Sequence, residues 1–388
     1  MKIGIDKIGF YAPHLYLDMN ELAKERGVEP EKFTIGIGQE KMAVSPITQD
    51  TVTLAANAAA QILDDTDKQD IDMVIFGTES GIDHSKSAAV NVHQLLGLQP
   101  HARAIELKQA CYGATAGIQM ARGHIALNPN RKVLVLGSDI ARYGLKTPGE
   151  STQGAGAVAL LISAEPRIME IEQESTYYTD DIMDFWRPVY SDTAFVDGKY
   201  SNEQYIAFFQ KVWNSYKEQT DRSLEDFAAI CFHLPYTKMG LKALRTVLDE
   251  VGEETQTRLK DQYQLSTQYN RNIGNIYTGS LYLSLLSLLE NSEELKAGDK
   301  IGMYSYGSGA VGEFFSGILQ EGFEKQLHHT EHNAMFEKRQ KISVSEYEKI
   351  FEQQIPTDGS VAEWSTNEDP AEICLTGMQN HQRVYQVK

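Results

Sequence analysis

Cys111 stands where a sequence could place a reactive thiol. It follows an extended run at residues 102–107, precedes a helical run at 112–127, and has the small residues Ala110 and Gly113 close by. A strand that ends near a cysteine and continues as a helix puts the sulfur at a helix N-terminus, where unpaired N–H groups and the helix dipole favour the thiolate. The pattern thus indicates a nucleophile, with a buried structural cysteine as the alternative.

Three other polar residues have comparable surroundings, each after apolar or small residues: Glu79, His233 and Asn275. A carboxylate, an imidazole and an amide can supply a base, a second acid–base group and a hydrogen-bond donor beside a thiol nucleophile. Each also has a structural alternative, because Glu79 could cap a segment, His233 could be a core histidine and Asn275 could be a turn residue. Their related positions in an internal repeat favour the catalytic interpretation, since ligands of α/β sheets bind beyond the carboxyl ends of strands.

The elements that must position these residues alternate between strand and helix. In the first half, strand patterns lie at residues 3–10, 73–77, 102–107, 133–137, 154–163 and 168–174, and helix patterns lie at 50–63, 87–96 and 112–127. Such alternation predicts an α/β fold, with a mainly parallel sheet and helices on its faces.

The second half repeats this organisation. Its strand patterns lie at 228–234, 301–306 and 311–318, and its helix patterns at 238–249 and 278–290. Residues 154–163 and 307–316 are identical at five of ten positions, at an offset of 153. The same offset brings Glu79 within one residue of His233. With a gap of about ten residues it also brings Cys111 opposite Asn275, and we interpret the repeat as a duplication.

We therefore predict two duplicated βαβαβαββ half-domains in a layered α/β arrangement. The first spans residues 1–174, and the second spans 224–388 and includes a C-terminal extension. Residues 175–223 between them are rich in Tyr, Asp, Phe and Trp, with a helix pattern at 202–218. We predict an insertion over the mouth of the active site, and an ordinary surface excursion is the equal alternative.

Composition excludes several classes of protein. The formal net charge of −18 argues against a nucleic-acid partner, which cationic side chains would have to bind. The sequence has no run of 18 apolar residues, so it predicts no membrane span. The N-terminus is charged and does not resemble a signal peptide. The three cysteines, Cys111, Cys231 and Cys374, have neither disulfide-framework nor metal-ligand spacing, so we expect a reducing, cytoplasmic location and no metal.

Several short motifs occur in a specific order along the chain. They are TIGIGQ at 34–39, GTES at 77–80, ACY at 110–112, GAGAV at 154–158, FWRP at 185–188, FHLPYTK at 232–238, GNIYT at 274–278 and SYGSG at 305–309. Through this set the chain resembles the hydroxymethylglutaryl-CoA synthases of bacterial type, in the thiolase superfamily, to about residue 322. The tail from about residue 324 to 388 carries no motif that we can place.

The resemblance implies a thiolase-like fold and a role for each polar residue. Cys111 would take the acetyl group of acetyl-CoA as a thioester, and Glu79 would draw a proton from the acetyl methyl group. The resulting carbanion would attack the ketone of acetoacetyl-CoA, which His233 would polarise and Asn275 would help to hold. Backbone N–H groups of Cys111 and Ser308 would form the oxyanion site.

The resemblance also implies contacts to the coenzyme A part of the substrates. Lys238 and Lys242 are four residues apart on the helix predicted after His233, and this pair could meet phosphates against an acidic background. A solvated helix face is the alternative for the two lysines. Tyr143, Thr152 and Ser201 are further substrate-binding candidates, whereas residues 147–149 depart from the family pattern.

Two other functions stay open at this point. A ketoacyl synthase that starts fatty-acid synthesis shares the Cys, His and Asn arrangement, but it decarboxylates a malonyl group and needs no base at Glu79. A non-catalytic acyl-CoA-binding scaffold would not need the thiol, the carboxylate and the imidazole together. The resemblance implies acetyl-CoA and acetoacetyl-CoA as substrates, no separate cofactor, and a homodimer formed through the sheet of the first half.

Overall fold

A computed structural model of the protein describes residues 1–191 and 193–388. The strands are β1 (Ile3–Tyr11), β2 (Leu15–Asp18), β3 (Lys41–Val44), β4 (Ile71–Gly77), β5 (Arg103–Leu107), β6 (Lys132–Ala141), β7 (Gly154–Ala164), β8 (Met169–Thr179), β9 (Phe185–Trp186), β10 (Phe195–Val196), β11 (Ala229–Phe232), β12 (Lys300–Gly307), β13 (Val311–Leu319), β14 (Gln340–Ile342), β15 (Ala362–Glu363), β16 (Ile373–Gln379) and β17 (Gln382–Val387). The α-helices are α1 (Met19–Glu25), α2 (Thr51–Ala60), α3 (Asp65–Asp70), α4 (Ala88–Leu95), α5 (Gly113–Leu127), α6 (Gly198–Thr220), α7 (Met239–Leu244), α8 (Glu253–Ser266), α9 (Gln268–Ile273), α10 (Ser280–Asn291), α11 (His329–Lys338) and α12 (Val344–Glu352).

Nine strands form one central sheet in the order β11-β12-β13-β8-β1-β7-β6-β4-β5. On one side, β4 and β6 are parallel, and β6–β7 and β7–β1 are antiparallel. On the other side, β11 and β12 are parallel, and β12–β13 and β13–β8 are antiparallel. The same strand pattern thus occurs twice around the central β1–β8 pair, as expected of the predicted thiolase-like α/β fold.

The prediction of a mainly parallel sheet was wrong. Three of the eight strand pairs in the central sheet are parallel and five are antiparallel. The reason is the connections, because parallel neighbours need a long crossover whereas antiparallel neighbours can be joined directly. Strands β12 and β13, for example, are joined by three residues, and no α-helix lies between β6 and β7.

The alignment of residues 154–163 with 307–316 places β7 against β13, which has the same place in the second half of the sheet, although the two strands begin at different points of the match. Gly154 begins β7, but Gly307 ends β12 and pairs with Val311 across the turn to β13. Within the match, residues 308–310 form a turn, and residues 311–316 belong to β13. The repeat is also present in the strand order, and the half-domain boundaries remain predictions.

Two helices, α5 and α10, share the largest apolar core with strands from both halves of the sheet. Along α5, the apolar residues Ile118, Ala121 and Ile125 are fully buried. Helix α10 is buried on nearly every side, which is typical of a helix inside a protein rather than on its surface. The segments that precede these two helices carry Cys111 and Asn275, so the core fixes both residues from behind.

Other predicted elements differ from the structure in extent. The helix predicted at 238–249 ends at Leu244, and a separate 3₁₀ turn covers Leu248–Glu250. The hydroxyl of Thr246 donates to the Ala243 carbonyl at 2.7 Å, a local bond that competes with helix continuation. Strand β8 runs to Thr179, past the predicted end of the first half at residue 174.

The segment predicted as an insertion serves two purposes in the fold. Helix α6 packs on β13 and β8 and buries Phe208, Trp213 and Tyr216 in an aromatic core. The short strands β9 and β10 pair with each other and lead into α6. In the C-terminal extension, β14 pairs with β2, and β16 is paired with β17. Across the described residues, every helix is too short or too polar to span a bilayer.

Candidate active site

The sulfur of Cys111 lies at the start of α5 and contacts the carboxyl group of Glu79. Sγ donates a hydrogen bond to Glu79 Oε1 at 3.0 Å. Glu79 follows β4, and Tyr112 is the N-cap residue of α5. Ala110, directly before the thiol, has a left-handed backbone with φ of 44°, which is uncommon for a residue other than glycine and is frequent at functional sites. The structure thus brings together the predicted nucleophile and the predicted base.

Both acidic groups hold their protons more tightly than usual. The pKa of Glu79 rises to about 8, chiefly because the carboxyl group is withdrawn from water and also because Asp139 is near. Burial and the Glu79 charge raise the pKa of Cys111 well above its usual range. The sequence-based expectation of a resting thiolate was therefore wrong, because burial and a neighbouring carboxylate outweigh the helix terminus. The resting pair is a neutral thiol whose proton points at a carboxyl group.

Asp139 fixes the position of Glu79, and the sequence analysis did not identify it. Its fully buried carboxylate accepts hydrogen bonds from the backbone N–H of Glu79 at 2.7 Å and from Ser80 at 2.9 Å. Its second oxygen accepts from the Thr278 hydroxyl at 2.6 Å, on the segment that leads to α10. One carboxylate therefore joins the base of the first half to the second half. The only signal in the sequence was an acid within an apolar strand.

His233 follows β11 and is held through its backbone. Its N–H donates to the Tyr304 carbonyl at 2.8 Å, and its own carbonyl accepts from the Tyr205 hydroxyl at 2.6 Å. The side chain is only 2% exposed, and burial lowers its pKa to about 3. The imidazole is therefore neutral near pH 7, so it can act through hydrogen bonding but not as a cation.

Asn275 is oriented by the start of the helix that follows it. Its Oδ1 accepts from the backbone N–H of Tyr277 at 2.8 Å and from the Ser280 hydroxyl at 3.0 Å. Its Nδ2 is buried, lies close to the Tyr143 phenol and makes no well-formed hydrogen bond within the described residues. Because a buried donor without an acceptor is costly, Nδ2 is suited to bind a carbonyl oxygen of a ligand.

A cavity of about 680 Å³ joins these groups. Seven of the ten predicted site residues line it: Cys111, Tyr143, Thr152, Ser201, His233, Asn275 and Ser308. Glu79 lies next to the wall, in contact with Cys111. The cavity wall also includes Thr147, Pro148 and Gly149, where the sequence departs from the family pattern.

The remaining two predicted residues, Lys238 and Lys242, do not line the cavity. Lys242 is exposed, and its Nζ donates to the Tyr236 hydroxyl at 2.8 Å and lies 5.0 Å from the centre of the Tyr236 ring. Since Tyr236 itself lines the cavity, the ammonium group stands at its rim. Lys238 is half-buried and is the N-cap residue of α7.

The turn between β12 and β13 packs directly against the cysteine loop. Gln109 Nε2 donates to the Ser308 carbonyl at 3.2 Å. A Cβ atom on Gly307 would lie only 2.6 Å from the Gln109 carbonyl oxygen and 2.7 Å from the Tyr112 nitrogen, so only glycine permits this approach. The two loops that carry the predicted oxyanion donors are therefore adjacent, although the oxyanion role remains a prediction.

Asp184 is a second buried acid that the sequence analysis missed. It is fully buried and accepts from the Gly309 backbone N–H and the Tyr306 hydroxyl, both at 2.9 Å, and from the Ser201 hydroxyl at 3.1 Å. Asp184 thereby connects the segment before α6 to the turn beside Ser308. Its neighbour Phe185, within the FWRP motif, lines the cavity and was the available signal.

These observations define a class of protein. A thiol is paired with a carboxyl group beside a cavity that an imidazole and an amide also line, and the sheet that carries them is a repeated, thiolase-like one. This arrangement is that of an acyl-transferring condensing enzyme. The chain belongs to the hydroxymethylglutaryl-CoA synthase family. Family models for the N-terminal part of hydroxymethylglutaryl-coenzyme A synthase match residues 1–166, and those for the C-terminal part match 168–257 and 245–362.

Individual relatives agree with this assignment over 90% or more of the chain. Hydroxymethylglutaryl-CoA synthase of Enterococcus faecalis is 51% identical over 385 residues, which are 99% of this chain and 100% of the relative. A crystal structure of HMG-CoA synthase complexed with CoA superposes with a TM-score of 0.97 at 48% identity, and covers 100% of both chains. A 3-hydroxy-3-methylglutaryl-ACP synthase of polyketide biosynthesis from Bacillus subtilis is 32% identical, over 90% of this chain and 87% of the relative.

Proposed function

We propose that this protein condenses acetyl-CoA with acetoacetyl-CoA and water to give 3-hydroxy-3-methylglutaryl-CoA and coenzyme A. The observation that carries the proposal is the Cys111–Glu79 hydrogen bond beside a cavity that His233 and Asn275 also line. Two relatives support the substrate class: the Enterococcus faecalis enzyme and the structure of MvaS in complex with 3-hydroxy-3-methylglutaryl coenzyme A. The MvaS structure superposes with a TM-score of 0.88 at 35% identity and covers 100% of this chain and 99% of that one.

In the first step, Cys111 attacks the thioester carbonyl of acetyl-CoA. A bond forms between Sγ and the acetyl carbon, the bond to the coenzyme A sulfur breaks, and the thiol proton ends on the departing sulfur. The hydrogen bond from Sγ to Glu79 suits this exchange, because the thiolate is the nucleophilic form and the carboxylate of Glu79 can accept the thiol proton as the sulfur attacks and pass it to the departing sulfur. The acetyl group is then tethered, which lowers the entropic barrier of the next step.

In the second step, Glu79 removes a proton from the methyl group of the acetyl thioester. The resulting carbanion forms a carbon–carbon bond with the ketone carbon of acetoacetyl-CoA, and the ketone oxygen takes up a proton to become a hydroxyl group. A carboxylate with a pKa of about 8 is a stronger base than an ordinary glutamate and can return its proton near neutral pH. Neutral His233 would donate a hydrogen bond to the ketone oxygen, and Asn275 would hold the acyl chain.

In the third step, water cleaves the thioester that links the product to Cys111. The hydroxyl of water goes to the acyl carbon, which becomes a free carboxyl group, and the sulfur regains a proton. Backbone N–H groups at Cys111 and Ser308 would stabilise the negative oxygen in the acyl-transfer steps, where one such donor contributes about 3 kcal/mol. The close packing of the two loops through Gly307 supports this assignment.

The coenzyme A part of each substrate would occupy the outer cavity. Tyr143, Thr152 and Ser201 line its wall, and Lys238 and Lys242 would meet the phosphates at its rim. Two local cations matter here because the whole chain carries a net charge of −18 and repels anions at long range. The coenzyme enters as part of the substrates, so no separate cofactor is required.

The wider setting follows from the same proposal. The product would feed the mevalonate route to isoprenoids, and the three free cysteines suit a reducing cytoplasm. We expect a homodimer, because β5 forms the outer edge of the central sheet in the first half and leaves one side of the strand open to a second copy. Light scattering at two concentrations would measure the mass of the assembly.

Mass spectrometry of the intact protein tests the activity directly. After incubation with acetyl-CoA alone, the protein should gain one acetyl group, about 42 Da, and Cys111→Ala should gain none. Addition of acetoacetyl-CoA should then remove the adduct and give 3-hydroxy-3-methylglutaryl-CoA. Discharge by malonyl-acyl carrier protein instead would favour a ketoacyl synthase, and an unmodified protein would favour a scaffold.

A further inference from the structure

Helix α12 of the C-terminal extension packs behind one wall of the cavity. The cavity wall includes the loop of residues 142–153, which contributes Tyr143 and Thr152 among others. This loop carries little regular structure beyond the 3₁₀ turn Glu150–Thr152. Helix α12 packs against it and belongs to the tail in which the sequence shows no motif. Helix α12 therefore lies behind an irregular part of the cavity wall.

Gln153 holds the start of the loop, and Tyr347 of α12 holds Gln153. Gln153 Oε1 accepts from the backbone N–H groups of Tyr143 at 2.7 Å and Gly144 at 3.2 Å. Its Nε2 donates to the Tyr347 hydroxyl at 2.7 Å. Gln153 is 3% exposed and Tyr347 is 2% exposed. Because the two backbone N–H groups can only donate, Oε1 must face the loop, and the Tyr347 hydroxyl oxygen then serves as the acceptor for Nε2.

Glu150 holds the middle of the loop and also contacts Tyr347. Its buried carboxylate accepts two hydrogen bonds from Arg26 at 2.8 Å, one from the Lys146 N–H at 3.0 Å and one from the Tyr347 hydroxyl at 3.3 Å. The same guanidinium lies 2.7 Å from the Glu348 carboxylate on α12. Tyr347 is thus the one side chain of the helix that bonds to both buried anchors of the loop.

A third contact lies at the other end of the helix. Arg142 Nη2 donates to the Phe351 carbonyl at 3.0 Å, and its guanidinium stacks 4.5 Å from the centre of the Phe351 ring. Arg142 is next to Tyr143 in the chain, and Tyr143 faces Cys111 and Asn275. Helix α12 therefore contacts the loop on both sides of Tyr143.

We propose that α12 positions the acyl-CoA wall of the cavity, with Tyr347 as the positioning residue, an inference that rests on the proposed function. Tyr347 does not line the cavity, so it acts through Gln153 and Glu150. Loss of its hydroxyl leaves the Gln153 amide without its buried acceptor and frees the loop to change shape. Substrate binding should then weaken, whereas the chemistry at Cys111 should continue once substrate is bound.

Tyr347→Phe tests the proposal, with Tyr385→Phe as the matched control. Tyr385 lies in the C-terminal hairpin, and its hydroxyl donates a hydrogen bond to Asp50 at 2.8 Å. Each variant therefore removes one hydroxyl that binds a buried acid, but Glu150 lies in the loop and Asp50 does not. We expect Tyr347→Phe to raise the KM for acetyl-CoA and the Kd for free coenzyme A about threefold to thirtyfold, with kcat within about twofold of the wild type. Tyr385→Phe should leave both constants unchanged.

Deuterium exchange gives a readout that does not depend on activity. The amides of Tyr143 and Gly144, which donate to Gln153, should exchange faster in Tyr347→Phe than in Tyr385→Phe. Unchanged exchange and binding in Tyr347→Phe, or equal losses in both variants, would overturn the inference. A wild-type protein that neither binds coenzyme A nor acetylates would refute the proposed function, while the exchange comparison would still decide the role of α12. If Tyr347→Phe does not fold, Glu348→Gln should show the same effects at smaller size.

Discussion

The thiol of Cys111 lies 3.0 Å from the carboxyl oxygen of Glu79, although 32 residues separate them in the chain. The approach depends on a glycine at the end of β4. A Cβ atom on Gly77 would lie 2.5 Å from the backbone nitrogen of Ala114 in the first turn of α5. Only a residue without a side chain lets the helix come this close to the strand. The contact is therefore built into the backbone and not left to side-chain adjustment.

Replacement of the base should separate the two halves of the reaction. In Glu79→Gln, we expect the acetyl adduct to form, because removal of the carboxylate lowers the raised pKa of Cys111 and offsets the lost hydrogen-bond acceptor. Condensation should fall by about 10²- to 10⁴-fold, since the methyl proton has no base. Intact-mass spectrometry measures the first step and product formation measures the second. Condensation at the wild-type rate would place the base elsewhere.

The same substitution should change how stability depends on pH. The folded pKa of Glu79 is about 8, above the ordinary value of 4.5, so the folded state keeps a proton that the unfolded state releases. Wild-type stability from this group is therefore complete below about pH 4.5 and is lost as pH rises through 8. Glu79→Gln should gain stability over the wild type as the pH rises from 5.5 to 8, by up to about 1.4 kcal/mol per pH unit, and the difference should level off above pH 8. Urea unfolding at three pH values measures the difference, and a difference that stays constant would contradict the shift.

His233 should contribute through hydrogen bonding rather than charge. Its pKa of about 3 means that no change of its charge occurs between pH 5.5 and 8, so the pH profile of kcat/KM should lack a limb near 6.5. His233→Ala should still acetylate, but its KM for acetoacetyl-CoA should rise about tenfold to hundredfold because a buried hydrogen bond to substrate is lost. Steady-state kinetics with each substrate varied in turn tests both points. A normal KM for acetoacetyl-CoA would remove His233 from the binding of the ketone.

Gly307 should tolerate no side chain, because its turn touches the cysteine loop. In Gly307→Ala the new methyl group would lie 2.6 Å from a carbonyl oxygen and 2.7 Å from an amide nitrogen of that loop. We expect the predicted oxyanion donors to separate and the rate of acetylation to fall at least about 100-fold. Gly252→Ala is the control, since its Cβ would meet no atom within 4 Å and its φ of −67° suits any residue. Equal acetylation by both variants would show that the contact has no role.

Much of the fold could be predicted because it depends on local pattern. Apolar runs and their alternation with helices identified β1, β4, β7 and α5 to within a few residues, and the cavity contains most of the site residues inferred from motifs. The parallel or antiparallel choice could not be read in this way. It depends on which strands become neighbours, and β8 pairs with β13, more than 130 residues later.

The errors at the site have a related cause. The thiolate prediction considered only the helix that follows Cys111, whereas the pKa of the thiol depends on burial and on Glu79, which come from the tertiary fold. Asp139 lies within an apolar strand pattern, and Asp184 lies among other acids just before the FWRP motif, so neither has a local spacing that indicates a role. Their importance lies in hydrogen bonds to Thr278 and Gly309, on parts of the chain more than 120 residues away. The local spacing of residues does not predict such contacts.

Lys238 and Lys242 offer a last test, because only Lys242 contacts a residue of the cavity wall, whereas both carry a positive charge. Lys242 contacts the Tyr236 ring and is exposed. One exposed charge should contribute little to binding, so we expect an effect on the coenzyme A phosphates only when Lys238 and Lys242 are both removed. We expect Lys238→Ala with Lys242→Ala to raise the KM for acyl-CoA about tenfold at low salt, and less at high salt because ions screen the attraction.

Lys296→Ala is the matched control for this pair. It lies before β12, at the end of the strand opposite Gly307, and is exposed. The control removes a surface charge without touching the cavity, so its KM should follow the wild type at every salt concentration. If the double variant and the control have the same KM at low salt, the two lysines contribute no measurable attraction. Other groups on the cavity wall would then have to bind the phosphates.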